Sequence, residues 1–388
     1  MSKEKLLPKL RFEHFKNAEY WTNFELGELA NIVRGASPRP IQDPKWFDKD
    51  STVGWLRISD VTRQNGRIYY LDQRISKAGQ EKTRVLKSPH LLISIAATVG
   101  KPVINYVDTG VHDGFLIFKD PIFDKEFMYQ WLEMFRLNWF RYGQPGSQIN
   151  LNSNLVKNQN VYLPLLQEQE KIGKFFVKLD ELIQLQQSKV NKVKDIKSAY
   201  LSEMFPKEGE KYPKKRFEGF TEPWHKNKFN EITEYITSSL SANNTLIQGR
   251  YELYDANELI GYTNSSGQKQ EYVTIIKDGS GVGRVRLLPK DSNFIGTMGA
   301  IVNKEQTDIH YIYAYLQQFN FTEFITGATV PHVYYRDYGE STAYHPSYEE
   351  QVKIGKLFNN LDNQISIEEE KLTKLENLKQ AYLNDMFI

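Results

Sequence analysis

Glu168–Gln169–Glu170–Lys171–Ile172–Gly173–Lys174 returns later in the chain as Glu350–Gln351–Val352–Lys353–Ile354–Gly355–Lys356. The second copy stands 182 residues after the first. At the same offset Phe176 meets Phe358, Leu179–Asp180 meets Leu361–Asp362, and Ile183 meets Ile365. Farther on, Lys197, Ala199–Tyr200–Leu201 and Met204–Phe205 recur as Lys379, Ala381–Tyr382–Leu383 and Met386–Phe387. The match needs no gap over about forty residues, and a repeat on this scale decides the architecture before any local reading.

A shorter repeat lies upstream. Arg11–Phe12–Glu13 with Phe15 recurs as Arg216–Phe217–Glu218 with Phe220, now 205 residues apart, and Trp21 and Trp224 follow the two copies. The chain is therefore two tandem halves. Each is a globular region followed by the common segment, and the first region is longer by 23 residues, the difference between the two offsets. Between the shared ends the halves look unlike, so the frame is duplicated and its content is not.

The common segment reads as a long helix. In the first copy apolar residues fall at Ile172, Phe175, Leu179, Leu182, Val193, Ile196 and Tyr200, with Gln186 and Lys189 in the polar middle. The second copy gives Ile354, Leu357, Leu361, Gln364, Glu368, Lys371, Leu375, Leu378 and Tyr382. Steps of three and four make a heptad seam. Pro164 and Pro346 precede the helices, and neither interior holds a proline. About forty residues make a rod of roughly 60 Å. One such helix cannot bury its stripe alone. Equal length and pattern predict an antiparallel intramolecular coiled coil, with Lys189 near Glu368 or Glu369. A homodimeric coiled coil, or two helices packed separately, would also bury the stripes.

The globular regions read as mixed α/β. Strands are predicted at 92–99 and 103–107 around Gly100–Lys101, and at 272–276 and 284–288 around Gly279–Ser280–Gly281–Val282–Gly283. Aromatic helical stretches follow at 127–142 and 309–324, then loops at 146–152 and 327–332.

At 388 residues the chain exceeds one ordinary core, and 40% hydrophobic with 25% charged residues is a globular composition. A net charge of +2 excludes binding of nucleic acid by charge excess alone, though not a local basic groove. With no cysteine, disulfides, thiolate nucleophiles and Cys-ligated metals are ruled out, and the cytoplasm is the expected compartment. The N-terminal stretch Met1–Phe15 lacks a signal peptide's apolar core, and no run approaches the ~18 apolar residues of a membrane span.

Catalytic signatures are missing from the sequence. Gly100–Lys101 has Ile95 where a P-loop needs glycine, and the turn at Gly279 is not G-x-G-x-x-G. The seven histidines include no pair at helical ligand spacing. Glu168 and Glu170 at a helix start suit the helix dipole better than acid–base work. These residues describe a binding scaffold.

The layout resembles the specificity subunit of type I restriction–modification systems over nearly the whole chain. Its strongest carrier is Leu163–Pro164 followed by Glu168–Gln169–Glu170–Lys171–Ile172, repeated with a departure as His345–Pro346 and Glu350–Gln351–Val352–Lys353–Ile354. Gly35–Ala36–Ser37–Pro38, Trp55–Leu56–Arg57–Ile58–Ser59–Asp60 and Gly146–Ser147–Gln148 are lesser family-like features, and the second half matches them poorly. The resemblance implies an α/β (α+β) fold with two target recognition domains in tandem pseudo-repeat and the two helices paired antiparallel. The boundaries then fall at 1–162 for the first domain, 163–205 for the first helix, 206–215 for a linker, 216–344 for the second domain and 345–388 for the second helix.

It also implies the function. Each domain would read one part of a split, asymmetric target in double-stranded DNA. The helices would set the gap and dock two methyltransferase subunits, and two motor–nuclease subunits would join them. S-adenosylmethionine, ATP and Mg2+ would sit on those partners, leaving no cofactor, metal or catalytic residue here and no role at a membrane. Base readout needs Arg, Lys, Asn, Gln and hydroxyls on exposed loops. The first half offers Arg34, Ser37, Arg39, Arg57, Ser59, Arg63, Gln64, Lys101, Ser147, Gln148 and Asn150. The second offers Ser239, Asn243, Asn244, Arg284, Arg286, Thr329, His332, Tyr334, Tyr335 and Arg336. For each of these, and for the basic run Lys211, Lys214, Lys215 and Arg216, a solvated surface role is the competing reading. Two other classes compete for the whole chain: a coiled-coil scaffold that never touches DNA, and an enzyme with an unrecognised site.

Overall fold

A computed structural model describes residues 6–87, 89–142 and 151–388. The chain divides into two compact units. The first is Met1–Gln186 with Lys371–Ile388, and the second is Gln187–Glu370. Each unit owns one head and a part of each long helix.

The first head contains β1 (Thr22–Glu25), β2 (Asn31–Arg34), β3 (Gly54–Leu56), β4 (Arg67–Ile68), β5 (Arg84–Leu86), β6 (His90–Ser94), β7 (Pro102–Asn105), β8 (Thr109–Val111), β9 (Phe115–Lys119) and β10 (Asn160–Leu163). Its main sheet has the order β2-β9-β6-β7-β4, beside a small sheet β3-β8-β5 and the pair β1-β10. The second head contains β11 (His225–Lys228), β12 (Thr233–Thr237), β13 (Tyr251–Tyr254), β14 (Leu259–Thr263), β15 (Tyr272–Ile276), β16 (Val285–Leu288), β17 (Ser292–Phe294), β18 (Met298–Asn303) and β19 (Thr342–His345). Its sheets are β12-β18-β15-β16, β14-β13-β17 and β11-β19.

Two sequences that look unlike thus build one frame. The antiparallel neighbours β2-β9-β6-β7 correspond to β12-β18-β15-β16. In both small sheets one pair is parallel, β3 with β8 and β13 with β17. The third strand is where they part: β5 joins β8, whereas β14 joins β13. The central strands β6, β9, β15 and β18 are buried nearly throughout, which accounts for their continuous apolar runs. A short helix packs under each sheet, Lys125–Phe135 and Ile309–Gln318. Asp124 and Asp308 cap them, each accepting a backbone N–H three residues on at 2.8 Å.

The long helices run Leu166–Glu203 and Tyr348–Met386. Leu163 and His345 do not begin them but close β10 and β19, because Pro164 and Pro346 disfavour helix at the preceding residue. The repeated motif locks each helix start to its own head. Arg11 donates two hydrogen bonds to buried Glu168, at 2.7 and 2.6 Å, and Arg216 does the same to Glu350, at 2.8 and 2.7 Å. Gln169 accepts the Asp124 N–H and donates to the Pro164 carbonyl. Gln351 repeats this with Asp308 and Pro346. A Cβ on Gly173 would stand 2.6 Å from the Asp124 carboxylate, and one on Gly355 2.5 Å from that of Asp308. Both glycines are there so that the helix cap can approach.

The helices pack antiparallel within each unit. In the first, Phe175 meets Tyr382, Phe176 meets Phe387, and Lys379 bonds Asp180 at 2.6 Å. In the second, Phe205 meets Phe358 and Lys197 pairs with Asp362. The lysine–aspartate pair is therefore one interaction made twice, at the 182-residue offset. Glu369 is paired with Lys194 at 2.7 Å.

The seam differs from the expected one by one residue at every second position. Ile172, Leu179, Val193, Ile354 and Leu361 are buried and Leu375 is partly buried, but Leu182, Ile196 and Leu378 are 52%, 38% and 43% exposed. The more buried line runs through Phe176, the partly buried Ile183, Val190 and the partly buried Lys197, leaving Leu182, Lys189 and Ile196 exposed while Phe175 stays partly buried against Tyr382. The second helix makes the same shift, to Phe358, Ile365, Leu372 and Lys379. Burying Val190 and Leu372 spares Lys189 and Lys371 their desolvation. Lys197 and Lys379 do enter the line, but each has its aspartate.

Candidate functional site

In the first head three connections meet at one edge of the main sheet. The loop after β2 lies on the β8–β9 connection: Gly35 and Ala36 donate N–H groups to the Phe115 and Val111 carbonyls. A Cβ on Gly35 would run into the His112 carbonyl, so only glycine allows this approach. The turn between β6 and β7 joins through Ile95 N–H to the Gly114 carbonyl. Asp113 stands among them. It accepts the Ser37 hydroxyl at 2.9 Å and the Arg39 guanidinium at 2.6 Å, and its backbone carbonyl accepts Arg34 Nε at 2.6 Å. Thr83 and Arg84 brace the same loop by donating to the Ala36 and Arg34 carbonyls. Burial alone would raise the Asp113 pKa. The Ser37 bond, then the adjacent His112 and the Arg39 and Arg34 charges, overcome burial and hold it below the ordinary carboxylate value.

Arg34, Ser37 and Arg39 are thus brought together, with Arg34 and Arg39 exposed. Arg57, Ser59, Arg63, Gln64 and Lys101 are not part of that cluster. Arg57 and Arg63 both pair with buried Asp60, and Arg63 also with Asp72 at 2.7 Å. Ser59 is exposed within the short helix Ile58–Arg63. Gln64 holds the Tyr69 N–H and the Tyr70 carbonyl. Lys101 is spent on Glu133 and Asn65. Ser147, Gln148 and Asn150 lie outside the described residues.

In the second head four connections meet at the corresponding edge. Gly283 N–H donates to the Ile276 carbonyl and Ile276 N–H to that of Arg284, as Gly100, Ser94 and Lys101 do in the first. Both glycines have positive φ, 77° and 87°, and pack on aromatic rings, Trp139 and Phe321. Lys277 N–H reaches the Thr297 carbonyl, and Gly296 N–H that of Leu240. The fourth connection crosses above the turn: Gly279 N–H donates to Pro331, Val333 N–H to Lys277, and His332 Nδ1 is 2.8 Å from the Asp278 carboxylate.

Ser239, Asn243, Asn244 and Thr329 are exposed on these connections. His332 stacks on Tyr334, and the Arg336 guanidinium stands 4.9 Å from the Tyr334 ring centre. Arg284 and Arg286 are pinned to the Ala256–Asn257 turn. Tyr335 is structural: it stacks on Tyr235 and donates to the Thr233 carbonyl at 3.0 Å. Of the basic linker, Lys214 pairs with Glu203, Lys215 covers Tyr200, and Arg216 holds Glu350.

Asp113, Thr83, Arg84, Lys277 and Asp278 belong to these clusters and were not singled out from the sequence. Acids attract no attention when cations and amides are sought for base readout. Only the strand order brings the β8–β9 connection to the loop after β2.

A family model described as Type I restriction modification DNA specificity domain matches residues 18–195 and again 194–377. The chain belongs to this family. Within it, the chain is a DNA specificity subunit, the non-catalytic member of a type I restriction–modification system. The fold is similar to that of the S subunit of a type I restriction–modification system from M. genitalium. That match has 14% identity and a TM-score of 0.68, and covers 99% of both chains. A second similar chain comes from structural work on complex assembly and conformational transition of the type I R-M system. It has 15% identity and a TM-score of 0.51, over 94% of this chain and 96% of that one. Each matched stretch of the family model holds one head, one target recognition domain. Among the described residues no helix is long and apolar enough to cross a membrane.

Proposed function

We propose that each head reads one part of a split, asymmetric sequence in double-stranded DNA, through the loop cluster at its sheet edge. The observation that carries this is the pairing of one frame with two contents. The sheet order and both hairpin turns recur, while the side chains on the corresponding connections do not. In the first head Arg34, Ser37 and Arg39, with Ser147, Gln148 and Asn150, are the proposed contacts. In the second they are Ser239, Asn243, Asn244, Thr329, His332, Tyr334 and Arg336. Arg57, Arg63, Gln64, Lys101, Arg284, Arg286 and Tyr335 already have partners in the fold, so their first role is to hold it.

The two long helices set the gap between the half-sites and dock two methyltransferase subunits. Leu182, Leu185 and Leu378 in the first unit, and Ile196 and Ile367 in the second, leave apolar side chains open on the helices for such partners. Two motor–nuclease subunits join that assembly. S-adenosylmethionine, ATP and Mg2+ act on those partners.

Mapping methylated adenines with and without this chain tests the reading. One heptad inserted into each helix, beside Gln186 and beside Glu368, keeps the seam in phase and adds ~10 Å, about three base pairs at ~3.4 Å. The mapped gap should lengthen while both half-sites stay as they were. Changed half-sites with an unchanged gap would refute the role given to the helices. Replacing residues 1–160 with those of another family member should alter one half-site only.

A further inference from the structure

We propose that Asp113 is a positioning residue for the first head: it aims Arg39 and Ser37 at the DNA, and the base preference of that head depends on it. This rests on the DNA-reading assignment above.

The carboxylate lies at the surface where a polyanion would arrive, and there a bare negative charge opposes binding. Its presence is explained by what it holds. Oδ1 accepts the Ser37 hydroxyl and Oδ2 the Arg39 guanidinium, while the backbone carbonyl takes Arg34 and the backbone N–H donates to Ser37 Oγ at 3.2 Å. One residue thus ties three side chains of the loop Arg34–Pro40. His112 flanks the same carboxylate: its Nδ1 accepts the Gly114 N–H at 2.9 Å and stands 3.1 Å from Asp113 Oδ1, while burial lowers its pKa against the opposing pull of Asp113.

Arg39 is 72% exposed, and an ion pair so open to water adds little stability. What the pair does is restrict a long side chain to one direction. A guanidinium held in place loses less freedom on meeting a base edge or phosphate than a free one does. The second head has no counterpart, because Gly296 occupies the equivalent place and Asp278 holds His332 instead. The effect must therefore be confined to one half-site.

The test uses the full chain assembled with its methyltransferase partners and duplex libraries randomised in one half-site at a time. Asp113→Ala should relax base preference in the first head's half-site by about tenfold, and Arg39→Ala should relax the same positions. Asp113→Asn, which can still accept the Ser37 hydroxyl, should fall between. Preference in the other half-site should be unchanged, and thermal stability close to that of the parent. Preference retained in both half-sites overturns the proposal. So does equal loss in both halves with a lowered Tm, which would mark a merely structural aspartate. A parent assembly with no base preference at all would overturn the DNA-reading assignment, and the role of Asp113 with it.

Discussion

The β8–β9 connection of the first head carries Asp113, whose carboxylate gathers Ser37 and Arg39; the matching connection of the second carries Gly296, which has no side chain and reaches its neighbouring loop through its N–H to the Leu240 carbonyl. A few residues away the heads agree to the level of single hydrogen bonds, in the Gly100 and Gly283 turns and in the Arg–Glu and Gln–Asp locks on the helix starts. Hydrogen-bond geometry is kept at these turns and locks, and side chains differ where they face solvent. For two heads proposed to read unlike half-sites, that is the division of labour one frame permits.

The locks give the largest expected effect. Glu168 and Glu350 are fully buried, and each neutralises one arginine. Removing one partner of a buried pair strands the other charge, at about 3–5 kcal/mol. Glu168→Ala and Glu350→Ala should each cost that much in urea unfolding, and about equally. A cost below ~1 kcal/mol in either would show that the two copies are not equivalent locks. Gly173→Ala and Gly355→Ala come next, since the new methyl would press on the caps Asp124 and Asp308. Overpacking of this kind costs about 1–3 kcal/mol.

A smaller difference separates the lysine–aspartate pairs. Asp180 accepts from Lys379, from Gln130 at 2.7 Å and from Arg67 at 3.2 Å. Asp362 accepts from Lys197, and its second oxygen is buried with no hydrogen-bond partner. Arg67 comes from β4, a strand with no equivalent in the second main sheet, and Gln130 comes from the helix Lys125–Phe135. Asp180→Ala should therefore destabilise more than Asp362→Ala, by about 1–3 kcal/mol for the additional charged hydrogen bonds. Equal losses would mean that Arg67 and Gln130 find other partners.

The repeat made the architecture legible because it is long, free of gaps and rich in residues with no alternative use. Gly173 and Gly355 in mid-helix, and Gln169 beside Glu168, make sense only as fittings to a second element. The seam itself was harder to read. Phe175 and Phe176, or Leu182 and Ile183, are adjacent apolar pairs, so stepping by three or by four from Ile172 fits equally well. The pairs Lys189–Val190 and Lys371–Leu372 held the answer, since only one spacing buries the apolar member of each. The likeness of the heads was illegible, because buried strands share burial rather than letters: β6 is His-Leu-Leu-Ile-Ser and β15 is Tyr-Val-Thr-Ile-Ile. At the sheet edge, side chains were chosen by type, and type does not tell Lys101, spent on Glu133, from Arg39, which is open.

The smallest expected effect concerns the one departure in the repeated Leu-Pro. Leu163 pairs with Thr22 across β10 and β1, and His345 takes its place opposite His225 across β19 and β11. The imidazole sits with Nε2 2.8 Å from the Asn227 side-chain oxygen and its ring 5.8 Å from that of His225. Burial lowers its pKa and outweighs the opposing pull of the Pro346 carbonyl, and the neighbouring His225 adds a smaller depression. A histidine depressed in the folded state is more basic when unfolded, so the unfolded chain takes up protons first as the pH drops. Its contribution is whole above the unfolded value of ~6.5 and declines as the pH falls through the folded one. His345→Leu restores the residue of the first copy and removes that term. Between pH 7 and pH 5 the variant should lose less Tm than the parent, and the difference should map to the second unit by hydrogen exchange along β11 and β19. In the first unit, where burial likewise depresses His90 and His112, the acid sensitivity should persist. An unchanged Tm loss would place the protonation cost on those two residues and not on the strand pair that carries His345.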